Sequence, residues 1–346
     1  MNITVLMGGT SSERDVSLSS GIRIAQALRE LGHEVISLDP ARGVIGEDEE
    51  AAMREAVVVK ATPPSPEALQ QLSQASLSPS LGALSAVRQA DVVFMALHGG
   101  QGEDGTLQAL LDMVGVCYTG SGHLASALAM DKDLSKRLFR LAGVATADWL
   151  MAGPAVGPAP SASEVERSLG WPVVVKPSKQ GSTVGLSIVR DGSGLAAAVE
   201  EAARHDDEVM IERFVPGREL TVAVVGDRAL PVGEIFPAHE IYDYECKYTE
   251  GMAREQFPAS LSAGEASELQ RLALLAFRTL KLGGCARIDF RMTERGEFFC
   301  LEANTLPGMT PLSLVPQAAA AAGMDFPSLC GEIVRLALVK SGKCLG

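Results

Sequence analysis

The chain has 346 residues, of which 47% are hydrophobic and 21% are charged, and it contains 35 glycines. A chain of this length can form two or three domains, and this composition is typical of an α/β enzyme rather than a disordered or fibrous protein. The formal charge of −13 argues against a nucleic-acid partner, which would require a basic surface.

The sequence also predicts the compartment. No apolar run is long enough to span a bilayer, and the N-terminus lacks the basic and apolar regions of a signal peptide. The cysteines are scattered without C-x-x-C spacing: Cys117, Cys246, Cys285, Cys300, Cys330 and Cys344. Such cysteines are typical of buried side chains in a reducing compartment, so we expect a cytoplasmic protein with no membrane partner.

The N-terminal residues have the pattern of a βαβ unit. A strand is expected at residues 3–7, followed by a glycine-rich loop at residues 8–12 and a second strand at residues 34–38. Apolar residues recur at helical spacing before Gly32: Leu18, Ile22, Ala25, Leu28 and Leu31. The dinucleotide fingerprint G-x-G-x-x-G is absent. Ligands of such units bind at the strand ends, where Glu13 lies, although a solvated loop charge is the alternative.

The segment at residues 41–90 gives a weaker signal. It is acidic at residues 47–50 and contains three prolines and a tract rich in Ser, Gln and Leu: the prolines are Pro63, Pro64 and Pro66. We expect a surface excursion with one or two helices and assign it no chemistry. A buried strand is expected at residues 91–97, and His98 follows on a glycine-rich loop. A structural role and a ligand contact are both compatible with that position.

The next elements lead to a domain boundary. Residues 107–111 begin a helix, residues 116–118 form a strand, and the turn at residues 119–122 marks the boundary. One helix is expected over residues 125–141, and a loop rich in Pro, Gly and Ala at residues 153–160 precedes a small α/β unit.

That unit begins with a strand at residues 172–176, which ends in Lys176. A loop of small residues at 177–185 leads to a returning strand at residues 186–189. Backbone N–H groups of a Gly/Ser loop can close over phosphates without steric obstruction. A plain flexible hairpin is the alternative, but the lysine at its root favours phosphate binding.

Further elements are expected towards the C-terminus. A polar, aromatic loop is expected at residues 241–248, because a hydrophobic core does not require that composition. The pattern predicts strands at residues 208–214 and 219–225 and helices at residues 195–204, 265–282 and 328–340.

A β-hairpin precedes the last of these helices. Two apolar-alternating runs, at residues 286–292 and 297–301, flank a turn. Asp289 lies in the first strand, and Glu302 and Asn304 follow the second, two residues apart and therefore on one face. Oxygen ligands of this kind suit Mg²⁺. Ordinary surface acids on an edge hairpin are the alternative, but the three ligands together favour a metal site.

Several phosphate-dependent and hydrolytic enzyme classes are excluded, because the P-loop, H-R-D, G-x-S-x-G and H-E-x-x-H motifs are absent. The order of a lysine-ended strand, a Gly/Ser loop and a metal hairpin resembles the ATP-grasp fold. More specific blocks occur in a fixed order: Met7-Gly-Gly-Thr-Ser-Ser-Glu-Arg-Asp-Val-Ser17, Gly102-Glu-Asp-Gly-Thr-Leu-Gln108, Lys176-Pro-Ser-Lys-Gln-Gly-Ser182, Tyr242-Asp-Tyr-Glu-Cys-Lys-Tyr248 and Arg287-Ile-Asp289. With these blocks, the chain resembles the D-alanine–D-alanine ligase family within that fold.

The resemblance covers nearly the whole chain except residues 41–90, and it implies the fold class. We expect an α/β protein in which a Rossmann-like pre-ATP-grasp domain precedes a two-subdomain ATP-grasp fold. The domains are expected at residues 1–121, 122–211 and 212–346, with an insertion at about residues 41–90 in the first. The third would carry the metal site.

The implied reaction is the ATP-dependent ligation of two D-alanines to D-alanyl-D-alanine for peptidoglycan synthesis. It proceeds through an acyl phosphate and releases ADP and phosphate. The implied cofactors are ATP and two Mg²⁺ ions, with Mn²⁺ as a substitute. The resemblance also implies a homodimer whose other partners are small-molecule substrates.

The resemblance assigns roles to individual residues. Phosphates would be bound by Lys132, Lys176 and Lys247, beneath Ser182 and its loop. Adenine and ribose would be held by Glu212, Arg213, Val215 and Glu219. The metal would be held by Asp289, Glu302 and Asn304.

The remaining roles concern the amino-acid substrates. Glu13 would pair with the first ammonium group, and His98 would position that substrate. Arg287 and the Gly308 N–H would form the oxyanion hole, and Ser313 and Leu314 would hold the second carboxylate. Tyr248 and Ser182 would link Glu13 into a hydrogen-bonded lid. Tyrosine at position 248 also favours D-alanine over D-lactate as the second substrate.

Two other functions remain open at the level of sequence. Another ATP-grasp carboxylate–amine ligase would need a different first loop at residues 8–17. A regulatory nucleotide-binding protein that has lost catalysis would lack a metal ligand or the oxyanion arginine, and none of these residues is missing.

Overall fold

The computed structural model describes residues 1–56, 59, 62, 64–73, 79–249 and 251–342. Within these residues the chain forms three β-sheets. The first sheet contains β1 (Asn2–Leu6), β2 (Glu34–Asp39), β3 (Gly43–Ile45) and β4 (Val92–Met95) in the order β3-β2-β1-β4. β1 is parallel to β2, as the βαβ pattern predicted, and it is also parallel to β4. Its apolar residues are buried because helices cover the sheet.

Eight α-helices lie among the described residues up to Leu141. They are α1 (Arg14–Glu30), α2 (Glu47–Ala56), α3 (Pro66–Ser73), α4 (Ser85–Arg88), α5 (Gly100–Glu103), α6 (Thr106–Met113), α7 (His123–Met130) and α8 (Lys132–Leu141). The segment at residues 41–90 contains helices, as predicted, and also the short strand β3. Pro63 and the tract at residues 74–78 lie outside the described residues.

Two predictions in this region were wrong. Residues 116–118 do not form a full strand, because only Tyr118 makes a bridge, to Val93. The helix predicted over residues 125–141 is broken into α7 and α8 at Asp131. Asp131 is extended and caps α8 by accepting a hydrogen bond from the Leu134 N–H at 2.9 Å. α7 and α8 pack against the strand Phe298–Asn304 of the third sheet.

The second sheet is antiparallel and contains the lysine-ended strand. Its strands are β5 (Trp149–Ala152), β6 (Val173–Pro177), β7 (Ser187–Val189) and β8 (Val209–Arg213), in the order β5-β8-β6-β7. The predicted β6–β7 hairpin is confirmed. Helices α9 (Ala162–Ser168) and α10 (Leu195–Ala203) accompany this sheet. β5 and α9 were not predicted.

The third sheet holds the predicted metal hairpin. Its strands are β9 (Arg218–Val225), β10 (Arg228–Ala229), β11 (Gly233–Pro237), β12 (Ala253–Gln256), β13 (Cys285–Met292) and β14 (Phe298–Asn304). β13 lies between β9 and β14, so the predicted hairpin is formed by an interior strand and an edge strand. Asp289 lies opposite Glu302, and a register shift follows immediately after Asp289.

Four helices belong to this last part of the chain. They are α11 (Tyr244–Tyr248), α12 (Ala263–Thr279), α13 (Leu314–Ala321) and α14 (Phe326–Lys340). α12 packs on the third sheet, whereas α14 returns to pack on α1 and β4 of the first sheet. The polar segment predicted as a loop therefore contains a short helix, α11. No helix in the described part of the chain is long and apolar enough to cross a membrane.

Candidate active site

Two adjoining cavities lie where the three sheets meet. The inter-sheet cavity lies between the second and third sheets and contains Lys176, Glu212 and Asp289. The inner cavity contains Glu13, His98 and Gly308. Both cavities are lined by a shared set of residues: Lys132, Gln180, Ser182, Lys247, Arg287 and Glu302. A molecule in one cavity can therefore meet a molecule in the other at this shared boundary.

The hairpin presents an anchored carboxylate. Asp289 accepts hydrogen bonds from Arg287 Nε at 2.9 Å and Nη2 at 2.8 Å, and from Thr221 Oγ1 at 2.7 Å. The Asn304 Nδ2 group donates to the same carboxylate at 3.0 Å, which leaves the amide oxygen as its available ligand atom. Thr221 is opposite Asp289 on β9, and it was not predicted to contribute.

Glu302 supplies the second carboxylate. Burial alone would raise the pKa of Glu302, but Lys132, Lys247 and Lys176 outweigh that effect and lower the pKa to about 2. The nearest of these, Lys132, places its Nζ 3.4 Å from the carboxylate. An ionised, oxygen-only donor set among several cations fits a divalent metal that is shared with phosphates.

A buried ion-pair network lies at the end of β6. Lys176 binds Glu212 at 2.6 Å, and Lys136 from α8 binds the other oxygen of the same carboxylate. Burial would raise the pKa of Glu212, but the two lysines lower it to about 2. Lys136 also donates to Thr146 Oγ1 at 2.6 Å. Glu212 thus fixes the position of Lys176 at the cavity.

The other predicted nucleotide-binding residues also line the inter-sheet cavity. Val215 is buried, and Glu219 is paired with Arg291 at 2.9 Å. Burial raises the pKa of Glu219 despite this pair. Arg213 is paired with Asp148 at 2.8 Å on the outer side of β8.

The loop at residues 177–185, which we term the flap, closes over both cavities. Ser182 and Thr183 have positive φ angles of 49° and 60°, which is an unfavourable conformation for a β-branched threonine. Lys132 Nζ donates to the Gln180 carbonyl at 2.6 Å and so ties the flap to α8. Strained backbone of this kind concentrates at ligand-binding sites.

Glu13 is the point where three parts of the chain meet. Its carboxylate accepts a hydrogen bond from Ser182 of the flap and another from Tyr248 Oη of α11 at 3.3 Å. A Cβ atom added at Gly99 or Gly181 would lie 2.9 Å from a carboxylate oxygen of Glu13, so glycine at these two positions leaves room for the carboxylate as it stands. The predicted link between Glu13, Ser182 and Tyr248 is present in the structure.

His98 is buried beside this cluster. One ring nitrogen lies 2.7 Å from the Leu306 carbonyl and the other 3.3 Å from Ser20 Oγ. Glu103 anchors the same segment by accepting hydrogen bonds from the Thr305 and Leu306 N–H groups at 3.0 and 2.9 Å. Burial, followed by repulsion from Glu13, raises the pKa of Glu103.

Comparison with known protein families agrees with this geometry. Residues 2–121 match the model described as D-ala D-ala ligase N-terminus, and residues 138–335 match the one described as D-ala D-ala ligase C-terminus. The chain belongs to the D-alanine–D-alanine ligase family. This family consists of ATP-dependent ligases.

Full-length relatives support this assignment. The D-alanine–D-alanine ligase of Synechococcus sp. (strain JA-2-3B'a(2-13)) is 42% identical over 345 residues, which is 99% of this chain and 94% of the relative. The D-alanine–D-alanine ligase of Aquifex aeolicus (strain VF5) is 40% identical over 337 residues, which is 96% of this chain and 100% of the relative.

Solved D-alanine–D-alanine ligases confirm the predicted fold class. The enzyme from Bacillus anthracis has a TM-score of 0.77 at 31% identity and covers 99% of both chains. Its complex with ATP has a TM-score of 0.75 at 29% identity and covers 99% of this chain and 98% of the other. The α/β architecture with an N-terminal domain and an ATP-grasp region is therefore established.

Two of the residues expected to bind substrate in a D-alanine–D-alanine ligase lie outside both cavities. Ser313 Oγ accepts a hydrogen bond from the Thr310 N–H at 2.9 Å and leaves no room for a side chain at Gly308. Leu314 packs in an apolar cluster with Ile235 and Tyr242.

Some residues in or beside the two cavities were not predicted from the sequence. Lys136 follows Lys132 by one helical turn, and this spacing could have indicated a shared face. Glu103 lies in a block that was quoted for the resemblance but was given no role. Thr221 and Arg291 carry no comparable signal, because their contacts depend on strand pairing.

Replacing Lys136 with methionine is expected to lower the free energy of unfolding by about 2 kcal/mol, since Glu212 would lose one of two charged partners. The pKa of Glu212 is about 2 in the folded state and 4.5 ordinarily. Its ion pairs therefore stabilise the fold above pH 4.5, and that contribution is lost as the pH falls through about 2. In Lys136→Met, this contribution to the free energy of unfolding should be lost at a higher pH than in the wild type. Urea unfolding at several pH values measures the difference.

Arg137→Met is the matched control for Lys136→Met. Arg137 is on the same helix, and its exposed side chain pairs with Asp133 at 2.9 Å. Asp133 keeps a second partner, Trp149 Nε1 at 2.7 Å, so the loss of Arg137 should change the free energy of unfolding by less than about 1 kcal/mol. Equal effects of the two substitutions would contradict the importance of the buried network.

Proposed function

We propose that this chain joins two D-alanines at the boundary of the two cavities, with ATP in the inter-sheet cavity and the amino acids in the inner cavity. The observation that carries this proposal is the shared lining of Lys132, Lys247, Arg287 and Glu302. A phosphoryl group at that boundary is within reach of both the nucleotide and a carboxylate bound near Glu13.

The proposed reaction has two steps. A carboxylate is a poor acyl donor, so the first D-alanine takes the γ-phosphoryl group of ATP on a carboxylate oxygen, and ADP leaves. The amine of the second D-alanine attacks the acyl carbon, and the carbon–oxygen bond to phosphate breaks. The amine loses a proton, and the products are D-alanyl-D-alanine and inorganic phosphate.

The cationic residues of the boundary would act on the phosphates. Lys132, Lys176 and Lys247 supply positive charge, while Ser182 and the flap cover the phosphoryl groups and exclude water. Glu212, Arg213, Val215 and Glu219 are proposed to surround adenine and ribose. The Lys136–Glu212 contact holds Lys176 in place for this role.

Asp289, Glu302 and Asn304 are proposed to hold Mg²⁺ as two ions, with Mn²⁺ as an alternative. When bound, the metal offsets phosphate charge during transfer. Asp289 is already oriented by Arg287 and Thr221, and Glu302 is kept ionised by the nearby lysines.

The inner cavity is proposed to orient the amino acids. Glu13 would pair with the ammonium of the first D-alanine, and His98, which lines the same cavity, would help to position that substrate. Arg287 and the Gly308 N–H would donate to the oxygen that becomes negative at the tetrahedral stage. Ser313 and Leu314 would approach the second carboxylate from the loop that follows Gly308.

The proposed function is tested by measuring phosphate release from ATP with D-alanine, L-alanine, D-serine and D-lactate offered in turn. We expect D-alanine to give the highest rate and the dipeptide to appear in equal amount to phosphate. Release with another amino acid alone would instead indicate a different carboxylate–amine ligase. No release with any acceptor would favour a regulatory nucleotide-binding protein.

Replacing Tyr248 with phenylalanine is expected to lower the D-alanine ligation rate about fivefold, the factor that corresponds to a hydrogen bond of about 1 kcal/mol. The hydroxyl lies 3.3 Å from Glu13 and 3.4 Å from Ser182 Oγ, so its loss loosens the closed site. D-Lactate should then compete better as the acceptor. The ratio of ester to amide product, measured with both acceptors present, tests this expectation.

Tyr244→Phe is the matched control for the Tyr248 variant. The Tyr244 hydroxyl is on the same helix and has no hydrogen-bond partner among the described residues. Its removal should leave the product ratio unchanged. An unchanged ratio in Tyr248→Phe as well would count against a role for that hydroxyl in acceptor choice.

We further propose that the dipeptide enters peptidoglycan synthesis in the cytoplasm and that two chains form a homodimer. Sedimentation velocity on the purified chain distinguishes a dimer from a monomer. The domain division at residues 1–121, 122–211 and 212–346 remains a proposal that limited proteolysis can test.

A further inference from the structure

Three side chains that can ligate a metal converge at the first turn of α11, the helix that we term the lid. They are His239 on the segment after β11, Asp243 at the cap of α11, and Cys246 within that helix. One ligand atom of each lies within 4.8 Å of the others. None of the three has a role in the proposed ligation.

The local structure explains why these groups meet. Asp243 caps α11 by accepting a hydrogen bond from the Cys246 N–H at 2.9 Å through Oδ1. Its other oxygen, Oδ2, lies 2.7 Å from His239 Nδ1. Residues 243 and 246 are three apart and therefore face the same side of the helical turn. The Cys246 side chain is buried, whereas His239 is 40% exposed and opens the cluster to solvent.

We propose that His239, Asp243 and Cys246 bind a zinc-class divalent cation, with water as the fourth ligand. Imidazole, carboxylate and thiolate are the ligands that Zn²⁺ prefers in tetrahedral sites, whereas Mg²⁺ prefers oxygen alone. Bonds of about 2.0–2.3 Å place tetrahedral ligand atoms about 3–4 Å apart, so small side-chain rotations complete the site. The thiol proton passes to solvent as the bond between Sγ and the metal forms.

Binding at this site restrains the lid. α11 also carries Lys247, which lines both cavities, and Tyr248, which contacts Glu13. A cation that joins His239 to the first turn of α11 holds the helix against the end of β11. This consequence rests on the proposed function, because substrate exchange at the inner cavity requires α11 or the flap to move.

Cobalt(II) titration tests metal binding independently of turnover. With Mg²⁺ and ADP in excess, one equivalent of Co²⁺ should produce a thiolate-to-cobalt charge-transfer absorption in the near ultraviolet. Cys246→Ala should abolish this absorption, and the exposed substitution His239→Gln should weaken it. Cys344→Ala is the matched control and should retain it. Absence of the charge-transfer absorption from the unsubstituted protein, or retention of this absorption in Cys246→Ala, would contradict the proposed metal site.

Zinc-buffered kinetics test the effect on the lid. Micromolar free Zn²⁺ should lower kcat about fivefold in the parent and in Cys344→Ala by slowing lid opening. His239→Gln and Cys246→Ala should match the parent without Zn²⁺ and resist inhibition when it is added. Cobalt binding without an effect of Zn²⁺ on kcat would overturn the restraint. Absence of ligation in metal-buffered controls without Zn²⁺ would instead contradict the proposed function.

Discussion

Glu302→Gln is expected to reduce kcat about a thousandfold, the rate factor for about 4 kcal/mol of transition-state stabilisation by a metal. The pKa of Glu302 is lowered to about 2, so the wild-type carboxylate is fully charged at neutral pH. Glutamine has nearly the same shape but removes that charge from the metal site. Steady-state kinetics at saturating ATP and D-alanine measure the effect.

Two further measurements separate a metal role from loss of folding. ATP affinity should fall in the variant mainly when Mg²⁺ is present, because the nucleotide contacts themselves are retained. Glu294→Gln, on the exposed turn of the same hairpin, is the matched control and should keep both activity and Mg²⁺ dependence. A Glu302→Gln enzyme with near-normal kcat would show that the metal assignment is wrong.

Arg287→Lys is expected to lower kcat by a factor of about 100–1,000, equivalent to roughly 3–4 kcal/mol, while KM for D-alanine changes little. The guanidinium uses Nε and Nη2 to bind Asp289, and Nη1 remains for an oxygen at the cavity boundary. Lysine cannot make both contacts at once, because it lacks the planar fork. A contact made only in the transition state affects kcat rather than KM.

The alternative is that Arg287 only neutralises Asp289. Arg218 provides the matched control, since its Nε and Nη2 bind Glu234 at 2.7 and 2.6 Å in the same sheet but outside both cavities. Arg218→Lys should lower the melting temperature without affecting kcat. If Arg287→Lys behaves in the same way, the oxyanion role is contradicted. Measuring kcat, Mg²⁺ dependence and melting temperature on one preparation distinguishes the two outcomes.

Long elements with a clear period were predictable from sequence. α1, α12 and the β13–β14 hairpin have enough residues for apolar periodicity to identify them. Short elements were missed, among them β5, β11 and α13, because four to eight residues contain too few repeats to distinguish helix, strand and loop. The break between α7 and α8 was missed because both sides are helical and only the Asp131 cap separates them.

Some of the proposed site residues were predicted from residue type and order. A lysine at the end of β6, a small-residue flap and three oxygen ligands on one hairpin indicated phosphate and metal chemistry before any contact was known. The sequence also placed Glu13, Ser182 and Tyr248 in one proposed cluster, but only through the family resemblance. Ser182 and Glu13 are 169 positions apart along the chain, which excludes a local pattern.

The sequence by itself determined the chemical types available, the long periodic elements and the family-specific blocks. Only the tertiary structure decided which charges compensate one another. Lys136 becomes a partner of Glu212 because α8 packs near β8, and Thr221 meets Asp289 because β9 pairs with β13. These contacts arise from non-local strand pairing and helix packing, and burial then makes the pairing of each charge necessary.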